Sequence, residues 1–586
     1  MFAAASSYAA GRLVLRKARL QRGELELFAF VTGSACLSLL VFAAAVAQLV
    51  YPATFLILGA ALFALAFNEH RLKPVPPQHI AGSSPNSFAQ TNRSSVPLSG
   101  GGFPSRPGGE FLQSLRKIWP FAALFLIYSA LYLSQAMGPE YSPDGSTYHL
   151  GYVARYLRQH GFGRITTSFY PNMPQGLEML FLFAFAFGRH SAAAMVHFAF
   201  LIALALGMVT YARRFGFPLA GMFAALLVYL SPVFGYDGTV AYNDVAGACV
   251  VFFLFYLVQI WAAERQDSLL VPIGLLAGFA YSIKYTAGIA VVYAIVFMLW
   301  KRGRVIRVAS AAAVVMVPWM AKSWIVSGNP VTPFMNRWFP NPYVSAAFED
   351  EYRRMYLPAE GLWPHFLDAA FRVGPTAAIV GVVFLLAPLA ILAALSPQGR
   401  QLLVAAVLFL MPGMVHIQTR FILAAIPFVA LALGLVLARI PVMIYGLIVV
   451  HAVLCWPTVM LHYADDSLRV RHFLPKQALR IEPEDSTLSY RLPGYLSAQM
   501  IEQLTPPDAR IFCYANPAEA YTSRELLIYY ESTQNREDLD LLVQGNFREL
   551  KRRGITHLLI LDSFRGDLSG LTRLGTVEKT SLYALR

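Results

Sequence analysis

Apolar residues run in long blocks from residue 27 to residue 462, broken by short polar turns. Blocks of about 18 or more apolar residues match the ~30 Å hydrocarbon core of a bilayer, so each reads as a membrane-spanning helix. The pattern predicts thirteen spans, at 27–49, 51–67, 118–136, 190–211, 217–234, 245–263, 269–282, 285–300, 305–326, 375–396, 400–416, 421–438 and 441–462. Between the third and fourth the pattern changes. Leu150, Val153, Ala154 and Leu157 recur at helical spacing, which predicts an interfacial helix lying on the membrane and ending by Gly161 and Gly163. A second short helix is expected over 176–188, after Tyr170-Pro171-Asn172-Met173-Pro174. Beyond residue 463 the long blocks stop. Residues 508–513 read as a strand, 547–553 as a helix and 555–561 as a buried strand, predicting a small α/β unit of about 90 residues.

Charge gives these spans a direction. Arg12, Arg16, Lys17, Arg19 and Arg22 precede the first span, and Arg213-Arg214, Lys301-Arg302-Gly303-Arg304 and Arg400 fall on alternate loops. The positive-inside rule then puts the N-terminus in the cytoplasm. An odd number of spans sends the C-terminal unit to the outer face, the periplasm or, in a eukaryote, the lumen. The first apolar block is too long for a signal-peptide core and is expected to be a retained span. Residues 70–116 are rich in Pro, Gly and Ser, as in Pro74-Val75-Pro76-Pro77 and Ser99-Gly100-Gly101-Gly102. Such a segment buries too little apolar surface to offset its ordering entropy and is expected to be a disordered cytoplasmic linker. The expected organisation is a two-helix prefix (1–69), the linker (70–117), a membrane core (118–462) with outer loops 137–189 and 327–374, and a soluble periplasmic α/β domain (463–586). The fold class is an all-α polytopic membrane bundle with a small C-terminal α/β extramembrane domain.

Composition agrees. Hydrophobic residues make up 57% and charged residues 14%, against about a quarter charged in soluble domains. The net charge of +14 sits in loops between spans, where it fixes orientation and meets anionic lipid, so no nucleic-acid partner is expected. Cys36, Cys249, Cys455 and Cys513 are scattered without zinc or redox spacing.

The residues that could carry chemistry gather on the outer side. Asp144 precedes the interfacial helix and could simply cap it. It also lies at a membrane boundary, where ionisable groups are costly and tend to be functional, beside Tyr148 and His149. Asp244 heads the span at 245–263 on the same side and could likewise be a cap. Together the two acids could divide the roles of base and of metal or substrate anchor. Asp237, next to Gly238, reads as a turn residue. Lys284 interrupts an apolar stretch, either as a snorkelling lysine or as a phosphate contact. Arg420 opens the span at 421–438 on a side where the positive-inside rule asks for no cation, and arginine suits phosphate.

The motifs Pro143-Asp144-Gly145-Ser146-Thr147-Tyr148-His149, Tyr170-Pro171 through Pro174-Gln175-Gly176-Leu177-Glu178, Asn243-Asp244, Ser282-Ile283-Lys284-Tyr285-Thr286 and Arg420-Phe421-Ile422-Leu423 occur in this order. In order, spacing and sidedness the chain resembles the GT-C superfamily of integral-membrane glycosyltransferases, in the branch of protein O-mannosyltransferases and aminoarabinose transferases. The resemblance covers roughly 118–462. It departs from the family in the additional prefix 1–117, and in having Asp144-Gly145 where an Asp-Glu pair is familiar.

The resemblance implies transfer of a sugar from a polyprenyl-phosphate donor lipid to a glycan, lipid or protein acceptor at the outer face. The expected location is a bacterial inner membrane. It implies Asp144 as general base, Lys284 and Arg420 as stabilisers of the leaving phosphate, and Tyr148, His149, Tyr242 and Asn243 as sugar-pocket residues. Some relatives use a divalent metal ion and others do not. A transporter or lipid flippase is the rival reading. It predicts mid-span charges and repeated half-folds, whereas the charges here fall at outer ends. A membrane scaffold whose outer domain binds a partner leaves Asp144 and Lys284 unexplained.

Overall fold

A computed structural model describes residues 1–21, 23–72, 107–356, 380–415, 419–463 and 475–585. Most of the expected linker (73–106), the end of the loop 327–374 with the start of the span expected at 375–396, the end of the span expected at 400–416, and residues 464–474 lie outside the described residues.

Six of the described helices are long and apolar enough to cross a membrane: Glu24–Val46, Trp119–Met137, Gly176–Arg214, Asp244–Glu264, Val305–Ser327 and Pro441–His462. Shorter apolar helices, among them Pro218–Tyr229 and Ile426–Leu437, complete the bundle of an integral membrane protein. Proline marks several starts, at Pro52, Pro218, Pro232 and Pro397, where its missing N–H is no loss and its fixed φ suits a first turn. The helix Asp244–Glu264 (α9) is apolar all round and stands at the centre, as that pattern requires.

Several expected elements differ in detail. An N-terminal helix α1 (Phe2–Val14) was not predicted. It is too short and too polar at Ser6, Ser7 and Arg12 to read as a span, yet both serines are buried. It crosses α2 (Glu24–Val46) at backbone contact, for a Cβ at Gly11 or Gly33 would strike main-chain atoms of the other helix. The prefix is docked on the core. Ser38 Oγ donates to Gly176 O at 2.7 Å, and Phe42 packs on Phe162 and Trp319. At the opposite end, Glu24 takes Arg214 and the Tyr256 hydroxyl, each at 2.5 Å.

Residues 107–117, expected in the linker, belong to helix α4 (Pro107–Met137). The expected short helix and the span after it form one element, α6 (Gly176–Arg214), broken at Arg189, whose φ is 52°. The helix expected from Leu150 onward is present as α5 (Leu150–Arg158), packed against the C-terminal unit through Arg155 on Glu525 and Tyr152 on Glu531.

That unit is a five-stranded sheet in the order β2-β1-β3-β5-β4. Strands β1 (Arg510–Tyr514), β2 (Glu525–Ile528) and β3 (His557–Leu561) are parallel, and β4 (Thr572–Val577) and β5 (Thr580–Ala584) close it as an antiparallel hairpin. It meets the bundle through aromatic packing, with Tyr521 stacked on His190, and through polar contacts. Arg155 pairs with Glu525 at 3.3 Å, the Tyr521 hydroxyl donates to Glu140 O at 2.6 Å, and Asn535 Nδ2 donates to Thr167 O at 2.9 Å. Helix α13 (Ala346–Tyr356) is held between this cap and the loop at 169: Arg536 lies 4.2 Å over the Phe348 ring, and Phe169 packs against Tyr352.

Candidate active site

A single π-helical turn, Gly145–His149, links the loop after α4 to α5, with Thr147 off helical geometry (φ −97°, ψ −105°). Such turns re-aim side chains, and here Asp144, Tyr148 and His149 line one cavity of about 450 Å³. Its other walls come from Glu178 at the start of α6, Lys284 after α10 (Leu270–Ile283), and Arg420 in the turn Thr419–Ile422. Asp244 lines a smaller adjoining cavity that shares Asn243, Lys284, Arg420 and Phe421 as walls.

The charged groups form a chain. Arg420 Nη1 lies 2.6 Å from Asp144 Oδ2, Arg420 Nε lies 4.0 Å from Asp244 Oδ2, and Lys284 Nζ donates to Asp244 Oδ1 at 2.5 Å. The guanidinium also covers the Tyr242 ring at 5.1 Å, and Lys284 sits 4.1 Å over Phe421. The Tyr148 hydroxyl donates to Asp144 Oδ2 at 3.1 Å, and its ring stacks on Tyr170 at 4.0 Å. Burial pushes the Asp144 carboxyl up, but the Arg420 and His149 charges, with the Arg420 and Tyr148 hydrogen bonds, outweigh it. The carboxyl is held below the usual aspartate range.

Capping does not account for either acid. The Asp144 carboxylate accepts no capping hydrogen bond from a backbone amide of the turn that follows it. At the head of α9 it is Asp237 that accepts from a backbone amide, Val245 N at 2.9 Å. Asp237 is therefore more than a turn residue. It is fully buried beside His197, with Nε2 at 3.5 Å. Burial and the neighbouring Asp244 carboxylate raise its pKa well above the usual range. Lys284 is ion-paired rather than simply snorkelling.

Of the eight residues singled out from the sequence, Asp144, Tyr148, His149, Asn243, Lys284 and Arg420 line the main cavity. Asp244 backs the cations from the smaller one, and Tyr242 lies behind Arg420. Glu178, Tyr352 and Arg353 also line the main cavity. Glu178 stood in a quoted motif without a role, and α13 gave no chemical signal at all.

The glycine at 145 has a spatial reason. A Cβ on Gly145 would strike Ser142 Oγ and come within 2.9 Å of the Glu140 carboxylate. Glu140 thus fills the space next to residue 145. It is buried, accepts from Ser142 N at 2.8 Å and Ala241 N at 2.7 Å, and is raised by burial despite those bonds. Among the described residues, no three His, Cys, Asp or Glu side chains are grouped to hold a metal ion. Asp144 and Asp244 are each engaged by a cation, so no step is derived through a metal.

Comparison with known proteins bears on this arrangement. The sequence profile of the dolichyl-phosphate-mannose-protein mannosyltransferase family matches residues 174–324. Two crystal structures of ArnT from Cupriavidus metallidurans are similar in fold. The one bound to undecaprenyl phosphate aligns with a TM-score of 0.51 at 14% identity, covering 80% of this chain and 98% of that one. The apo form aligns with a TM-score of 0.53 at 14% identity, covering 81% and 98%. At that identity the likeness is one of fold. No curated protein matches the chain by sequence.

Proposed function

We infer that this chain, a GT-C membrane glycosyltransferase by fold and family match, moves a sugar from a polyprenyl-phosphate donor to an acceptor hydroxyl at the periplasmic face of a bacterial inner membrane. The observation that carries the reading is the Asp144–Arg420–Asp244–Lys284 chain, which joins the main cavity to the smaller one beside it through Arg420 and Lys284. It supplies a base and two phosphate-binding cations within reach of one another.

In this reading the acceptor hydroxyl oxygen attacks the anomeric carbon, and its proton passes to Asp144. The bond from the anomeric carbon to the phosphate oxygen breaks, and polyprenyl phosphate leaves. Arg420 and Lys284 take up the negative charge that develops on that phosphate, as preorganised cations need no reorientation. Arg420 is shared. When the donor phosphate engages it, Asp144 loses part of the field that lowers its basicity, so donor binding readies the base. Asp244 holds both cations in place. A transporter would need its ionisable groups near the bilayer midplane. Here they sit at the ends of α9 and α10 and in the turn at 419–422.

The test is turnover of labelled polyprenyl-phosphate sugars by reconstituted protein, wild type against Asp144→Asn. A fall of about 10²–10⁴-fold is expected for loss of a general base. Equal turnover by the variant removes Asp144 from that role. Failure of the wild type to consume any lipid-linked sugar overturns the transfer reading.

A further inference from the structure

The Glu178 carboxylate stands in the wall of the main cavity with one oxygen engaged and the other not. Oε1 receives His149 Nδ1 at 2.6 Å and Asn243 Nδ2 at 3.4 Å. Oε2 is buried and has no hydrogen-bond partner among the described residues. The side chain is only 4% exposed. A buried carboxylate oxygen without a donor is costly, and in a cavity wall a ligand donor is what removes the cost.

The group is held in place from several sides. It lies in the first turn of α6, where the helix dipole favours negative charge. That turn is fixed by Ser38 Oγ on Gly176 O at 2.7 Å and by the Tyr156 hydroxyl on Gln175 Oε1 at 2.8 Å. An ionised carboxylate only accepts, so the proton on His149 Nδ1 points to Glu178. Around it the cavity offers aromatic faces, Tyr170, Tyr285, Phe334 and Phe421. The three cations that line the cavity are each paired with a carboxylate: Lys284 with Asp244, Arg420 with Asp144, and Arg353 with Glu349.

We propose that Glu178 is a sugar-binding and specificity-determining residue, whose Oε2 accepts a hydroxyl of an uncharged sugar ring and rejects sugars that carry a carboxylate. A uronic acid would set a second carboxylate against Glu178, while Lys284 and Arg420 are taken by Asp244, Asp144 and the donor phosphate and Arg353 is taken by Glu349. The aromatic faces take the apolar side of the ring. The inference rests on the polyprenyl-phosphate reading above.

The experiment separates the two readings. Affinities are measured for polyprenyl phosphate alone, for its neutral hexose and pentose conjugates, and for its hexuronate, with wild type and Glu178→Gln. The wild type is expected to bind at least one neutral conjugate about tenfold more tightly than the hexuronate. Glu178→Gln should leave polyprenyl phosphate unchanged, weaken that neutral conjugate about tenfold, and narrow the gap to the hexuronate. An unchanged neutral conjugate, or a wild type that prefers the hexuronate, overturns the proposal while leaving the donor reading intact. A wild type that fails to bind polyprenyl phosphate overturns both. Should Glu178→Gln not fold, Glu178→Asp keeps the charge but shortens the reach, and it is expected to show the same loss for the neutral conjugate with the carrier unaffected. No such loss overturns the proposal.

Discussion

Arg420 donates to Asp144 Oδ2 at 2.6 Å, so the carboxylate proposed as base is neutralised by the cation proposed to hold phosphate. The pair is only partly exposed, at 20% and 25%, so water screens it weakly. The same guanidinium reaches toward Asp244, 4.0 Å away. Proton transfer and phosphate binding therefore act through one side chain.

The pH dependence of activity should report this pair. Burial raises Asp144, and Arg420 is the leading influence that lowers it. Removing the guanidinium in Arg420→Gln leaves burial dominant, so the acid limb of kcat/KM should move to higher pH; Arg420→Lys should move it less. The stability linkage has a definite sign. With the folded pKa below the ordinary ~3.9, the Asp144 contribution is complete above that value and is lost as pH falls through the lower folded one. An acid limb that stays put in Arg420→Gln would remove Arg420 as the tuning group.

Gly145→Ala should be destabilising although it adds one methyl group. The new Cβ meets Ser142 Oγ and the buried Glu140 carboxylate, which also holds the Ala241 amide. Overpacking at such a site costs about 1–3 kcal/mol. A lower melting temperature together with reduced turnover is expected, and thermal unfolding in detergent checks it.

The junction between cap and bundle should loosen as pH rises. Glu519 and Glu531 are both raised, first by burial; Glu531 is raised further by the Glu519 charge, and Glu519 stands at about 7. Because the folded values exceed the ordinary glutamate value of ~4.3, their stabilisation is full below that value; the Glu519 part is lost as pH rises through about 7, and the Glu531 part as pH rises through its own raised folded value. Amide protection factors over α5, taken relative to the intrinsic exchange rate at each pH, should be higher at pH 6 than at pH 8, with the difference reduced in Glu519→Gln.

Arg536→Ala should act on substrate binding from outside the cavity. It removes the cation over Phe348 and the ion pair with Glu351, both on the helix that brings Tyr352 and Arg353 to the site. A cation–π contact of this kind is worth about 1 kcal/mol. We expect KM to rise about fivefold with kcat changed by less than about twofold. Steady-state kinetics on both parameters decides it.

The apolar blocks by themselves determined a helical membrane bundle, because a bilayer demands long uncharged helices and leaves them visible one segment at a time. The same local logic marked α5, two of the five strands of the cap, β1 and β3, and the motifs that hold Asp144, Asn243, Lys284 and Arg420. Tertiary structure alone decided which of these residues meet. That Arg420 joins Asp144 to Asp244, and that Glu178 meets His149 and Asn243, depend on contacts between segments far apart in the chain. Helix α1 escaped the sequence for a related reason. Its serines and glycine look polar and flexible in isolation, and only the close approach of α2 makes them interior residues. Periodicity reports how one segment meets its solvent, whereas a site is made where several segments meet one another.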